Sequence, residues 1–211
     1  METLRLTDAN VEECAGLAAE ILRAGGVVLY PTDTLYGLGA DAFSDEAVAK
    51  VYAIKTRDEK KPIHCIVADI EMAEKYGELT PVARALAEKF FPGPLTLVLK
   101  KRKEVAGGIT ANMKTIGVRV PGNLFCAALA RTFGGPITTT SANIAGMEAQ
   151  GTVYGILQQL GEAQKHINLI VDAGALPHQQ ASSIVDVSGN TLNIIREGAI
   201  EKERILNAFH G

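Results

Sequence analysis

The feature that most constrains this chain is alternation. Capped helical segments and short β-branched runs follow one another along almost its whole length. "NVEECAGLAAEILRAGG" sets Val11, Ala15, Ala18 and Leu22 at helical spacing and closes on Gly25-Gly26, which predicts a first helix. "VVLYP" then reads as a buried strand ended by Pro31. "SDEAVAKVYAIK" opens with a Ser N-cap and two acids that suit the positive end of a helix dipole. "PIHCIVAD" reads as a strand, and "TPVARALAEKFF" as a capped helix stopped by "PGP". "LTLVLK" and "TIGVRVP" are strands around a glycine-containing loop. "NLFCAALARTF" is a helix, and "PITTTSAN" a strand running into a loop. "NLIVDAG", "SSIVDVS" and "TLNIIRE" are late strands, followed by a terminal helix in "EKERILNAF". This order predicts an α/β fold with helices packed on a central sheet. Late strands without intervening helices make that sheet mixed rather than purely parallel. With no linker, repeat or low-complexity stretch, residues 1–211 are expected to form a single domain.

Charge is concentrated. The net charge is −3, yet residues 50–131 hold 15 Lys+Arg against 8 Asp+Glu, and the remainder holds 6 against 16. A basic middle between acidic flanks suits a local anion site better than a long polyanion. The chain lacks a basic n-region followed by an apolar stretch, and no run approaches the ~18 apolar residues of a membrane span. Cys14, Cys65 and Cys126 are odd in number and widely spaced, which argues against a disulfide framework or a zinc site. Reduced thiols in a cytoplasmic protein are the expectation.

Several common nucleotide devices are missing. "GITANMKT" has Met113 where a phosphate loop of the G-x-x-x-x-G-K-[ST] type needs glycine, and no G-x-G-x-x-G, H-E-x-x-H or G-x-S-x-G occurs. The positive signal is "AIKTRDEKKPIH", which gathers Lys55, Arg57, Lys60, Lys61 and His64. A solvated basic helix end is the plain alternative. Lys61 and His64, however, lead straight into a buried strand, and converging cations suit a polyphosphate. "YPTDTLYGLGADAF" adds Thr32, Asp33, Thr34 and Tyr36 in what reads as a glycine-rich turn at a strand end, where α/β proteins place ligands. "PITTTSANIAG" supplies Ser141 and Asn143, whose hydroxyl and amide can meet phosphate, ribose or metal-bound water. Thr138 and Thr140 also fit plain sheet positions. Thr115 and Arg119 share a strand face, with Arg119 either a surface residue or a buried carboxylate clamp; Arg196 poses the same choice.

In their order these stretches resemble the YrdC-like threonylcarbamoyl-AMP synthase family. The resemblance runs from "GGVVLYPTDTLYGLGADAF" through "FPGPLTLVL", "IGVRVP" and "TTTSANIAG" to "SSIVDVSG" and "IIREGAI". Its signature pairs, K-x-R and S-x-N, are here Lys55-Thr56-Arg57 and Ser141-Ala142-Asn143. Ending soon after Ile200, the chain resembles the short, single-domain form. The resemblance implies a twisted mixed sheet with flanking helices around a positively charged concave cavity. It implies the synthesis of threonylcarbamoyl-AMP and pyrophosphate from L-threonine, bicarbonate or CO2, and ATP with Mg²⁺. The product would feed modification of a tRNA adenosine beside the anticodon through a downstream transferase complex. By the same resemblance Lys55, Arg57, Lys61, Thr115, Ser141, Asn143 and Arg196 face the nucleotide. Lys55 and Arg57 carry the catalytic charge, and no side chain serves as a metal ligand. Thr34, His64, Arg119, Thr139 and Ser183 line the threonine end, with Arg119 against the carboxylate and His64 positioning rather than donating a proton. Two departures stand out: Glu197 follows Arg196 where a small residue or proline is frequent, and Asp33 replaces a frequent Glu.

Two rivals remain at this level. One is a module that binds tRNA or double-stranded RNA without adenylation, helped by "KKRK" at 100–103, although the net charge opposes it. The other is carbamoyl transfer from a different donor, as in larger hydrogenase-maturation proteins.

Overall fold

The computed structural model describes residues 1–58, 61–177, 180–189 and 191–210. Along the chain run β1 (Glu2–Arg5), α1 (Val11–Arg23), β2 (Val28–Pro31), β3 (Tyr36–Gly39), α2 (Asp45–Lys55), β4 (His64–Ile66), α3 (Ile70–Tyr76) and β5 (Gly77–Glu78). They continue with α4 (Pro81–Phe90), β6 (Leu95–Lys101), β7 (Thr115–Arg119), α5 (Leu124–Phe133), β8 (Ile137–Ser141), α6 (Val153–Leu160), β9 (Leu169–Asp172), β10 (Ser183–Asp186), β11 (Asn193–Arg196) and α7 (Lys202–His210). The strands form one mixed sheet in the order β1-β9-β2-β3-β8-β4-β7-β6-β10-β11, with β5 paired to β6. Parallel pairs such as β4–β7 and β10–β6 sit beside antiparallel ones such as β3–β8 and β6–β7. The mixed sheet expected from the late strands is therefore present.

Helix starts follow the capping residues. The side chains of Ser44, Thr80 and Asn123 accept hydrogen bonds from the amides of Ala47, Ala83 and Cys126, at the starts of α2, α4 and α5. The stretch "YGLG", read as part of a turn, is instead a strand. Gly37 and Gly39 leave room for the Tyr30 ring of the neighbouring strand: a Cβ on Gly39 would stand 2.7 Å from Tyr30 Cε1. Glycine here marks close packing, not chain reversal.

The sheet is covered unevenly, and that unevenness makes the site. On one face α2, α3, α4, α6 and α7 bury a core with Leu38, Cys65, Leu95, Leu97, Leu99, Val118 and Val185. On the other face α1 and α5 pack over Val28, Tyr30, Ile66, Ile137, Leu169 and Val171. Strand periodicity sends alternate residues to opposite faces. Along β4, β6, β7 and β8 the alternates to the first core therefore include His64, Thr96, Arg119 and Thr139, polar residues outside the apolar cluster beneath these two helices.

At the end of α2, Thr56 takes a left-handed conformation (φ 48°) while its amide and that of Arg57 bond back to Ala53 and Tyr52. A β-branched residue there is strained, at a cost on the order of 1 kcal/mol. Thr56→Gly is expected to raise the unfolding free energy by about 1 kcal/mol in urea titrations. A loss of stability would contradict the strain.

Candidate functional site

A cavity of about 160 Å³ opens on this polar half-face. Its wall includes Thr32, Thr34, Thr139, Thr140, Ser141, Ser182, Thr96 and His64, together with Arg57, Arg119 and Arg196. A second cavity of about 370 Å³ lies between α2 and residues 108–113, among Val48, Tyr52, Ile109 and Met113. It is larger but has none of the arginines, so the smaller cavity is the candidate site.

Lys55 departs from expectation. Set at the end of α2, it reads as an exposed cation, yet it is 1% exposed. Its Nζ donates to the Ser141 carbonyl, to the Asn143 carbonyl at 2.8 Å and to Asn143 Oδ1 at 3.1 Å. The loop returns the contact, since the Ala145 amide donates to the Lys55 carbonyl at 2.9 Å. Ser141 Oγ donates to Asn143 Oδ1 at 2.6 Å, and Asn143 Nδ2 donates to the Met147 carbonyl at 2.5 Å. The two signature pairs are thus joined: Lys55 fixes the loop that presents Ser141. Burial, with the nearby Arg57 charge second, pulls the Lys55 pKa down to about 7. Its three acceptors work the other way, favouring the ammonium form.

Arg57 lies on the cavity wall, its Nε and NH2 directed to the Lys61 and Pro62 carbonyls at 3.4 and 3.3 Å. Tyr52 OH also donates to the Lys61 carbonyl, at 2.9 Å, so α2 braces the basic connector. Lys61 is exposed and outside the cavity wall. Lys60 falls outside the described residues.

Arg119 is buried and closely held. Nε donates to the Gly93 carbonyl at 3.0 Å, NH1 to Thr34 Oγ1 at 2.9 Å and NH2 to Asp33 Oδ1 at 2.5 Å. Asp33 thereby offsets its charge. A guanidinium carries about five N–H groups, so two are left for a ligand.

His64 stands in the cavity wall beside β7, where the ring fits only because residue 117 is glycine. A Cβ there would come within 2.3 Å of His64 Cδ2. Desolvation first, then the Arg196 and Arg57 charges, push the His64 pKa down to about 4. The folded value lies below the unfolded value of about 6.5, so the contribution of His64 to stability is complete above pH 6.5 and is lost as pH falls toward 4. His64→Gln is expected to flatten the loss of urea midpoint between pH 6.5 and 4, a difference of up to about 3 kcal/mol. Parallel wild-type and variant curves would contradict a neutral His64.

Arg196, at the end of β11, donates from Nε and NH2 to the Ser182 carbonyl at 3.0 and 2.7 Å. Burial and the charges of Arg119 and Arg57 lower its pKa. Ser183 is placed differently from expectation. Its Oγ donates to the Ile200 carbonyl and accepts the amides of Gly198 and Ile200, so it ties β10 to the 198–200 turn. Ser182, one residue earlier, lines the cavity instead. Thr115 lies on the face of β7 shared with Gly117 and Arg119, beyond the cavity wall. Asn143 is buried behind Ser141.

Other expectations resolve as scaffold. Thr138 Oγ1 donates to the Leu38 carbonyl and accepts the Ala40 amide, as a sheet residue. In the "KKRK" run Lys100 pairs with Glu78, Lys101 donates to the Val105 carbonyl and Arg102 to the Glu74 carbonyl. The three cysteines are free and buried. Among the described residues no three His, Cys, Asp or Glu side chains gather to hold a metal ion, and no helix is long and apolar enough to cross a membrane.

The uncovered polar half of this α/β sheet thus gathers three arginines and several hydroxyls around one cavity. The comparisons give the family: the profile Sua5_yciO_yrdC, described as "Telomere recombination", matches residues 20–198, and the chain belongs to that family. Mouse threonylcarbamoyl-AMP synthase is 35% identical over 193 residues, which is 88% of this chain and 67% of the mouse protein. The crystal structure of Pyrococcus abyssi Sua5 complexed with L-threonine superposes with a TM-score of 0.88 at 30% identity. That match covers 98% of this chain and 60% of the Pyrococcus chain, so the present sequence spans well under two thirds of it. Escherichia coli YciO matches with a TM-score of 0.82 at 29% identity, over 94% and 95% of the two chains.

Proposed function

We propose that this protein is an L-threonylcarbamoyladenylate synthase, a nucleotidyltransferase acting on ATP, L-threonine and bicarbonate or CO2, within one domain spanning residues 1–211. The observation that carries the reading is the joining of K-x-R to S-x-N through Lys55, in a chain about a third identical to synthases of that name. The cavity is positively charged on this reading, since Arg57, Arg119 and Arg196 line it, with Asp33 paired to Arg119.

In the reaction the threonine amine captures CO2, and a carbamate oxygen attacks the α-phosphorus of ATP as pyrophosphate departs. No protein nucleophile is required. The protein supplies positioning, charge stabilisation for the leaving pyrophosphate and exclusion of water from a carbamate that otherwise decomposes. Arg57, Lys61 and Arg196 meet the triphosphate, with Ser141 and Thr115 beside it and Lys55 and Asn143 holding the Ser141 loop. The two remaining Arg119 N–H groups take the threonine carboxylate, while Thr34, Thr139 and neutral His64 shape the amino-acid end. Ser182 replaces Ser183 in that set. Mg²⁺ would come with the nucleotide and would help neutralise the charge of the leaving pyrophosphate.

The product passes to a downstream transferase that modifies tRNA, in the cytoplasm, with at most weak direct tRNA contact. Internal bonding of the 100–102 cations is the reason for preferring this to an RNA-binding module. The test is mass spectrometry of the reaction mixture with ¹³C-bicarbonate. The expected result is threonylcarbamoyl-AMP carrying one ¹³C atom. Unlabelled or absent adenylate would overturn the reading.

A further inference from the structure

Thr96 is the odd residue of β6. Its neighbours Leu95 and Leu97 enter the core beneath α4, whereas Thr96 is 1% exposed on the cavity side. Parallel pairing of β6 with β10 sets Thr96 opposite Ile184, and brings its Oγ1 to 2.9 Å from Ser182 Oγ. Ser182 is also buried, and its Oγ accepts from Arg196 NH2 at 3.2 Å.

A hydroxyl has one proton and two acceptor sites, and either of these two can donate to the other. Both line the cavity, but Thr96 is the more deeply buried, 1% exposed against 7% for Ser182, so its proton has the poorer access to a ligand. The direction that leaves the more accessible hydroxyl free is donation from Thr96 to Ser182. Both acceptor sites of Ser182 Oγ are then taken, one by Thr96 and one by Arg196. Its own proton is left for the cavity that Ser182 lines.

Resting on the proposed reaction for the identity of the ligand, we infer that Thr96 is a positioning residue that turns the Ser182 hydroxyl into a fixed donor toward the amino-acid substrate and holds Arg196 in register. In this role its hydroxyl acts through these two side chains. The Ser182 donor faces an acceptor-bearing group, and the carboxylate of an amino acid fits it.

The test compares wild type, Thr96→Val, which keeps the shape and removes the hydroxyl, and Thr96→Ser, which restores it. L-threonine binding is followed by calorimetry, and the Arg196 Nε–H resonance by NMR in protein without ligand. Thr96→Val is expected to weaken threonine binding about tenfold, the loss of one hydrogen bond, and to move the Arg196 resonance. Thr96→Ser is expected to return both toward wild type. On a Ser182→Ala background, Thr96→Val should add less than a twofold change. An unmoved Arg196 resonance in Thr96→Val, or a Thr96→Ser variant as impaired as Thr96→Val, would overturn the inference. Should Thr96→Val fail to fold, Thr96→Ala takes its place: a moved Arg196 resonance with threonine binding about tenfold weaker supports the relay, and wild-type values for both refute it. The resonance requires no substrate. Wild type that forms no adenylate therefore removes the proposed reaction without touching the relay, and an unmoved resonance removes the relay without touching the reaction.

Discussion

Lys55→Ala is expected to abolish turnover and weaken the fold together. Removing the ammonium leaves the Ser141 carbonyl, the Asn143 carbonyl and Asn143 Oδ1 without their shared donor. Unsatisfied buried acceptors cost about 1–3 kcal/mol each, and partial relaxation brings the expected total to about 2–5 kcal/mol. The loop carrying Ser141 then loses its anchor, and turnover should fall at least about 100-fold, the scale of losing one charge-stabilising donor in a catalytic site. Arg57→Ala is the control. Its guanidinium lies on the cavity wall on long bonds to the connector carbonyls, so turnover should drop by a similar factor while the urea midpoint stays near wild type. Loss of activity in Lys55→Ala at full stability would show that Lys55 acts on the ligand rather than on the loop. Wild-type activity in Arg57→Ala would remove it from the site.

Arg119→Ala is expected to carry the second-largest effect. The substitution leaves Asp33 and Thr34 without their buried partner and the Gly93 carbonyl without its donor. Breaking a buried charge pair on one side costs about 3–5 kcal/mol. The same change removes the N–H groups assigned to the threonine carboxylate, so the KM for threonine should rise more than tenfold while the KM for ATP moves little. Arg119→Lys separates the two effects: it keeps the charge beside Asp33 but lacks the planar fork, so it should recover part of the stability and little of the threonine affinity. An unchanged KM for threonine in both variants would refute the carboxylate role.

Much of the architecture is legible in the chain because local rules and tertiary demands agree. The N-caps Ser44, Thr80 and Asn123 mark helix starts in sequence and in structure. "TIGVRV" alternates, and the structure puts Arg119 on the polar face as that period requires. β3 was hidden, because the glycines that signal a turn are there to accommodate the Tyr30 ring from a neighbouring strand. Short edge elements such as β1 and β5 carry too few apolar residues to announce themselves.

At the site the errors have identifiable causes. Lys55 lies on the stripe of Val48 and Val51 at helical spacing, so its burial was written in the period of α2 and masked by its charge. Ser182 and Ser183 are adjacent, and in a strand one residue decides the face. The parity of Val185 and Val187, both in the core, places Ser183 on the far side from the cavity. Thr96 follows the same logic, as the polar alternate of "LTLVL". The loop bonding that joins Lys55 to Asn143 spans most of ninety positions and has no local signal at all.

The central claim is that one cavity couples an amino acid, CO2 and ATP. The measurement that tests it most directly is pyrophosphate release from MgATP with bicarbonate and threonine, each supplied and withheld in turn. The account predicts release only when both are present. Release without threonine, or equal release without bicarbonate, would contradict it.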